Sequence, residues 1–178
     1  MSPGRSNSIY DQPQGKIPPN NLQAEQSVLG CAMSSEKALS EIVSVLKSED
    51  FYRPDHRSIY DAITELYLSS KPVDIITVSD ALESRSILDK VGGLAYISRL
   101  PDLVPFISNA SQYADTVRQK AILRKLINSL DEINDLCYED GRNASELLSV
   151  AAKRIYDIRE NRDAAGFESL KDIVTRTI

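Results

Sequence analysis

The chain has 178 residues with 21 Lys/Arg and 26 Asp/Glu, a formal net charge of -5. That length and 42% apolar content suit one compact domain with an appendage, and the acidic balance argues against tight non-specific nucleic-acid binding by the chain alone. No apolar run approaches the ~20 residues of a membrane span, no signal-peptide core opens the chain, and His56 with two distant cysteines, Cys31 and Cys137, cannot complete a four-ligand zinc set, so a soluble, reduced, cytoplasmic protein that meets no membrane is expected.

Residues 1–17 are Ser, Asn, Gln, Gly and Pro with little apolar content and read as a disordered leader. After Pro18-Pro19, Leu22, Val28, Leu29, Ala32 and Met33 fall on one helical face, with Asn20 and Gln23 as a cap pair. Ala38, Leu39, Ile42, Val45 and Leu46 mark a second helix. Pro54 suits the first turn of a third, carried by Ile59, Ile63, Leu66 and Tyr67. Asp74 is placed to cap a short fourth helix through Glu83, although the β-branched run Ile75-Ile76-Thr77-Val78 also admits a strand. Gly92-Gly93 makes a turn, and Leu94 to Leu100 is a short helix stopped by Pro101.

The second half is simpler. Asn109 with Gln112 offers a cap pair for a long helix to about Tyr138, and Gly141 ends it. Asn143 with Glu146 opens a return helix to about Arg162, which completes an antiparallel hairpin. Asp163-Ala164-Ala165-Gly166 breaks the pattern, and Phe167, Leu170, Ile173 and Val174 start a last amphipathic helix that runs uncapped to Ile178. An uncapped helix with its apolar face unspent reads as a cut through a longer protein. The expectation is all-α: leader 1–17, globular helical head 18–108, hairpin 109–162, linker and start of a linker helix 163–178.

Little catalytic chemistry is visible. There is no GxxxxGK[ST] phosphate loop and no GxGxxG. Glu25, Asp50, Asp55, Asp61, Glu65 and Asp74 read as solvated helix faces before they read as acid/base pairs, and His56 reads as a surface or packing residue. No catalytic residue, cofactor site or metal site is assigned. The long helix is more informative. Its apolar positions Ile122, Leu123, Leu126, Ile127, Leu130, Ile133, Leu136 and Cys137 spread over roughly 180° at 100° per residue, whereas one partner needs little more than about 100°. The return helix supplies one side through Leu147, Leu148, Val150, Ala151, Ile155 and Ile158. The surplus calls for the head, another subunit or a different protein. The basic cluster Arg118, Lys120, Arg124 and Lys125 reads as a solvated face or as a site for phosphate or an acidic partner.

Pro18-Pro19 followed by Ala24-Glu25-Gln26-Ser27-Val28-Leu29-Gly30 resembles the opening of DnaB-type replicative DNA helicases, with their Pro-Pro pair and A-E-Q-x-V-L-G stretch. Asp50-Phe51-Tyr52 with His56, Ile59 and Tyr60, then Pro72-Val73-Asp74-Ile75-Ile76-Thr77, Val91-Gly92-Gly93-Leu94-Ala95-Tyr96, and Asn109 through Tyr113-Ala114 continue the resemblance in order, over about residues 17–178. No single stretch is decisive, but their order and spacing together are specific.

The resemblance implies a helical head and hairpin forming a hexameric collar, commonly a trimer of dimers in which hairpins pair subunits. It implies primase docking on that collar through the primase C-terminal domain, and action of the helicase loader on the same assembly. It also implies a linker helix leading to a RecA-like motor that binds ATP and magnesium and translocates on DNA. The parent would be an ATP-dependent helicase, while this part, without a phosphate loop, would bind no cofactor. Tyr96, Leu123, Ile127, Leu130 and Ile133 are the candidate partner-binding residues for subunit or primase, and Phe167, Leu170, Ile173 and Val174 are the candidates for docking on a neighbour's motor. Ile127 and Ile133 lie about 120° apart on the long helix, too far for one partner helix to cover easily. Two other readings are a helicase-binding C-terminal domain of primase and a free-standing helical DNA-binding regulator. The first would normally follow a polymerase core, and the second needs a recognition helix with clustered Arg, Lys, Asn or Gln.

Overall fold

The computed structural model describes residues 16–139, 141 and 143–175, with side chains described as far as Glu160 in the last helix. Seven α-helices carry the fold: α1 (Leu22–Ser34), α2 (Glu36–Val45), α3 (Pro54–Leu68), α4 (Ile75–Ser84), α5 (Gly93–Arg99), α6 (Ala110–Cys137) and α7 (Ala144–Thr175). Single 3-10 turns lie at Ser48–Asp50, Asp89–Val91, Pro101–Leu103 and Ile107–Asn109. No strand occurs among the described residues.

Capping chemistry sets most of the boundaries. Asp74 Oδ1 accepts from Thr77 N at 2.9 Å and the Thr77 hydroxyl accepts from Asp74 N at 3.0 Å. This capping box commits Ile75 to Val78 to helix despite their β-branched side chains. Pro54 occupies the first turn of α3, and Ser35 caps α2. α1 is capped by Asn21, whose Oδ1 accepts from Ala24 N at 3.0 Å, and not by Asn20, whose side chain instead donates to Pro18 O. The expected Asn109–Gln112 cap pair does not form. The turn Ile107–Asn109 runs straight into α6, and the Asn109 side chain makes no cap bond. At the hairpin bend Gly141 takes φ +87°, the left-handed conformation a helix end favours, and Asn143 Oδ1 accepts from Ser145 N at 2.8 Å.

The head is built around α1, which packs against α2, α3, α6 and the turn Pro101–Leu103. Val28, Leu29 and Cys31 meet Ile42, Phe51, Ile59, Tyr60, Ile63, Val78, Leu82, Ile97 and Leu100 in one core. Each fully buried aliphatic side chain there contributes roughly 1.5–3 kcal/mol. Gly30 is required by close approach: a Cβ would lie 2.3 Å from the Leu100 carbonyl oxygen and 2.6 Å from Val104 Cγ2.

The hairpin departs from expectation at its far end. α7 runs without a break to Thr175, through Asp163-Ala164-Ala165-Gly166, so the separate linker helix is not observed as a separate element. Alanine is the strongest helix former, and one interior glycine costs only about 1 kcal/mol, too little to stop a helix by itself. Phe167, Leu170, Ile173 and Val174 share the backbone of the hairpin arm, and their side chains lie outside the described residues.

Candidate interaction surface

Four residues from three separate motifs meet inside the head. Glu25 (α1), His56 (α3) and their neighbours form a buried polar cluster in which His56 Nδ1 lies 2.6 Å from Glu25 Oε2. A carboxylate only accepts, so Nδ1 donates. His56 Nε2 lies 2.7 Å from the Tyr96 hydroxyl of α5. That hydroxyl accepts from Gln26 Nε2 at 3.1 Å and donates to His56 Nε2, closing a path from α1 through α3 and α5 back to α1. Glu25 Oε1 also accepts from Tyr52 N at 2.6 Å. Arg53, the N-cap position of α3, has no capping bond from its own side chain. The α1 carboxylate therefore anchors the chain just before α3 and complements the positive end of that helix's dipole. Glu25 and His56 are almost fully buried, so Glu25 is not on the solvated face the sequence predicts, and His56 takes the packing rather than the surface position of its two expected places. No buried side-chain nitrogen or oxygen among the described residues is left without a partner.

This arrangement changes the reading of Tyr96. Its ring is half-buried and its hydroxyl is engaged inside the head, so the polar tip that recommended it as a partner contact faces inward. The signal that would have found the cluster was the motif set itself, since Glu25, Gln26, His56 and Tyr96 all stand in the stretches that carry the resemblance. Chain spacing alone could not have joined residues 70 positions apart.

The long helix α6 carries three stripes. Ala110, Ala114, Val117 and Ala121 are buried against the head, and their small side chains allow close approach. Ile122, Leu126, Ile133 and Leu136 are half-buried and form a second stripe about 110° further round. α7 packs on α6 and presents half-buried Leu147, Val150, Ala151 and Ile158, which matches this second stripe. The third stripe, about 100° beyond, is exposed: Leu123 is 44% accessible, Ile127 43% and Leu130 49%. On α7, Leu148 at 72% and Ile155 at 50% are exposed as well. The surplus arc is thus partitioned. One part meets α7, and the other stays exposed among the described residues, so the described part of the head does not cover it. Ile127 lies on the open stripe and Ile133 on the α7 side, which corrects the grouping of Ile133 with the outward positions.

The basic cluster is not a solvated face throughout. Arg124 is half-buried, with Nη1 donating to Pro19 O at 2.7 Å and Nη2 to Asp50 O at 2.5 Å, and its guanidinium stands 5.8 Å from the Tyr52 ring centroid. Lys125 Nζ reaches Glu49 Oε1 at 2.8 Å and Asp50 Oδ1 at 3.2 Å. The Lys125 hydrogen bond holds the Glu49 carboxyl below its usual range. Asp50, nearly buried, also accepts from Lys47 N through Oδ2 at 2.9 Å. These cations are committed within the chain, which removes Arg124 and Lys125 from a phosphate site.

Other features offer less. Among the described residues no three His, Cys, Asp or Glu side chains gather to hold a metal, and no helix is long and apolar enough to cross a membrane. An open groove of about 550 Å³ is lined by apolar Ala32, Leu39 and Val73 and by polar Glu36, Ser70 and Lys71. Cys31 is buried, its thiol pushed up to about 11 by burial, while Cys137 is exposed on α6. Charge is unevenly placed along the hairpin. Residues 126–152 hold six acidic side chains and one basic, and the base segments 110–125 and 153–162 hold eight basic and three acidic.

Comparison with known proteins places these features in a family. The profile described as "DnaB-like helicase N terminal domain" matches residues 17–119. The replicative DNA helicase DnaB of Mycobacterium leprae is 37% identical over 166 residues, covering 92% of this chain and 28% of that protein. The replicative DNA helicase DnaC of Bacillus subtilis is 35% identical over 162 residues, 91% of this chain and 36% of that protein. The chain therefore spans about a third of these relatives. The crystal structure of the N-terminal domain of DnaB helicase from Mycobacterium tuberculosis superposes with a TM-score of 0.72 at 38% identity, covering 79% of this chain and 99% of that one. A DnaB-like replicative helicase, described with its interactions with primase, shares the fold at TM-score 0.64 and 23% identity, over 78% of this chain and 31% of that one. The chain belongs to the DnaB-like helicase N-terminal domain family.

Proposed function

We propose that this chain is the collar-forming part of a replicative DNA helicase, acting in the cytoplasm, and that it organises subunits and docks partners without catalysing a reaction itself. ATP and magnesium would bind in a motor domain, in the part of the relatives that this chain does not span. The chain has no GxxxxGK[ST] loop to cradle a nucleotide, so no step of ATP chemistry is assigned to its residues. Phe167, Leu170, Ile173 and Val174 would dock on a neighbouring subunit's motor.

The observation that carries the reading is the exposed stripe Leu123, Ile127 and Leu130, beside exposed Leu148 and Ile155. An apolar stripe of this kind marks an interaction site. A second copy fits it in an antiparallel pair, because that places the acidic tip of one hairpin on the basic base of the other, whereas a parallel pair would align like charges. Three such pairs would build a hexameric collar. Primase, through its C-terminal domain, and the helicase loader would then dock on the assembled collar.

Sedimentation tests the pairing. The chain should sediment as a dimer or larger at micromolar concentration, and Ile127→Asp should drive it to monomer while leaving its helical signal intact. A monomer at hundreds of micromolar in the unaltered chain would refute the pairing. A monomeric Ile127→Asp variant that binds the cognate primase C-terminal domain with undiminished affinity would show that primase uses a different surface.

A further inference from the structure

The head's grip on α6 ends at Arg124 and Lys125. The head-facing stripe Ala110, Ala114, Val117 and Ala121 points midway between these two side chains when continued by one turn. They straddle it with polar bonds where the apolar packing stops, and beyond them no residue of α6 is buried. Arg124 lies about 160° round the helix from the stripe that faces α7. α1 holds α6 along its head-facing stripe, and the hairpin is also held on either side of that packing. On one, α2 packs against both α6 and α7. On the other, Arg124 spans two backbone carbonyls, Pro19 before α1 and Asp50 in the turn Ser48–Asp50.

We propose that Arg124 is an adjustable joint that sets the angle at which the hairpin leaves the head, with the segment before α1 as one of its working parts. α2 is the pivot, and the Arg124 grip resists rotation about it. Only guanidinium reaches both carbonyls with separate N–H groups in a fixed fork. The lever is long: thirteen residues from Arg124 to Cys137 at 1.5 Å each span about 20 Å, so a rotation of about 15° moves the tip by about 5 Å. Because one acceptor is Pro19, binding to or removal of the N-terminal segment would act on hairpin direction without touching the hairpin.

Electron–electron resonance distances in the full chain test this. One spin label sits on Cys137, and the other on Glu83→Cys at the exposed surface of α4, spin-diluted with unlabelled chain so that pairing of copies does not contribute. Cys31 is buried and does not compete for label. The unaltered joint should give one narrow distance. Arg124→Ala should broaden or shift it by about 3–5 Å. Deleting residues 1–19 should do the same without altering any hairpin residue, and the two changes together should add nothing. Arg124→Lys, which keeps the charge but loses the fork, should fall between. If Arg124→Ala does not fold, the deletion and Arg124→Lys carry the test. Distances unchanged in both of those folded variants overturn the proposal. An effect of Arg124→Lys with none from the deletion overturns the role of the N-terminal segment. The readout is an angle within one chain, so it stands or falls separately from the pairing of copies.

Discussion

The head and the outer hairpin are made from the same kind of amphipathic helix and finish differently. α6 shows this within 28 residues. Its first half buries small side chains between helices of its own chain. From its midpoint onward it carries larger ones, Leu123, Ile127 and Leu130, that stay accessible. The head gathers its large buried side chains in one core and locks it with the Glu25–His56–Tyr96 cluster, leaving single apolar residues such as Leu68, Ile76 and Phe106 exposed. The hairpin has one stripe engaged and one left over. Bulk at a helical position is therefore a poor guide to burial in this chain. What decides is whether another element of the same chain is within reach.

Sharp breaks of that contrast come from the head. Glu25→Ala should cost roughly 3–5 kcal/mol, because it strands the His56 ring and the Tyr52 amide in the interior. Urea denaturation should show a large drop in midpoint. Next, Ile59→Ala should cost about 2–5 kcal/mol, while Ile127→Ala, on the open stripe, should stay within about 0.5 kcal/mol in unfolding of the dissociated chain. A comparable loss at both sites would erase the distinction between the regions. Tyr96→Phe keeps the ring and removes only the hydroxyl that serves His56 and Gln26. A loss of about 1–3 kcal/mol is expected, and an unchanged melting temperature would show that the cluster contributes no stability through α5.

The smallest effect concerns acid. Burial raises the Asp55 carboxyl, but Arg53, by hydrogen bond and charge, and His56 beside it outweigh it, so its folded value lies below the ordinary 3.8. A carboxyl lowered by folding contributes stability that is present above the ordinary value and is lost as the pH falls through the folded one. Asp55→Asn should therefore lower stability at neutral pH and flatten its fall below about pH 4. An identical acid slope in the variant would contradict this.

Much of the architecture was legible because local chemistry speaks plainly. Pro54 at a first turn, Asp74 with Thr77 as a capping box, and Gly92-Gly93 at φ +104° and +70° fix elements wherever they stand in a fold. The open stripe was also legible as an excess of apolar arc, although the sequence could not say that Ile133 faces α7 and Ile127 does not. The break at Asp163–Gly166 misled because it is a break in amphipathic pattern, which the helix backbone crosses at small cost. The polar cluster and the Arg124 grip were not legible, since their partners are separated by 27 to 105 residues and depend on how α1 is set against α3, α5 and α6.

The tie from α1 to the start of α3 bears on how the head can assemble. The His56 amide in the first turn of α3 is served locally by Asp55, but the Tyr52 amide just before the helix needs a carboxylate delivered by α1, 27 residues earlier. α5 in turn closes on a histidine that α3 must already have placed, 40 residues before Tyr96. α1, α3 and α5 each hold a polar partner of another, so this cluster is complete only when all three have docked. The centre of the head is wired to close in one concerted step, whatever helix each segment can form alone.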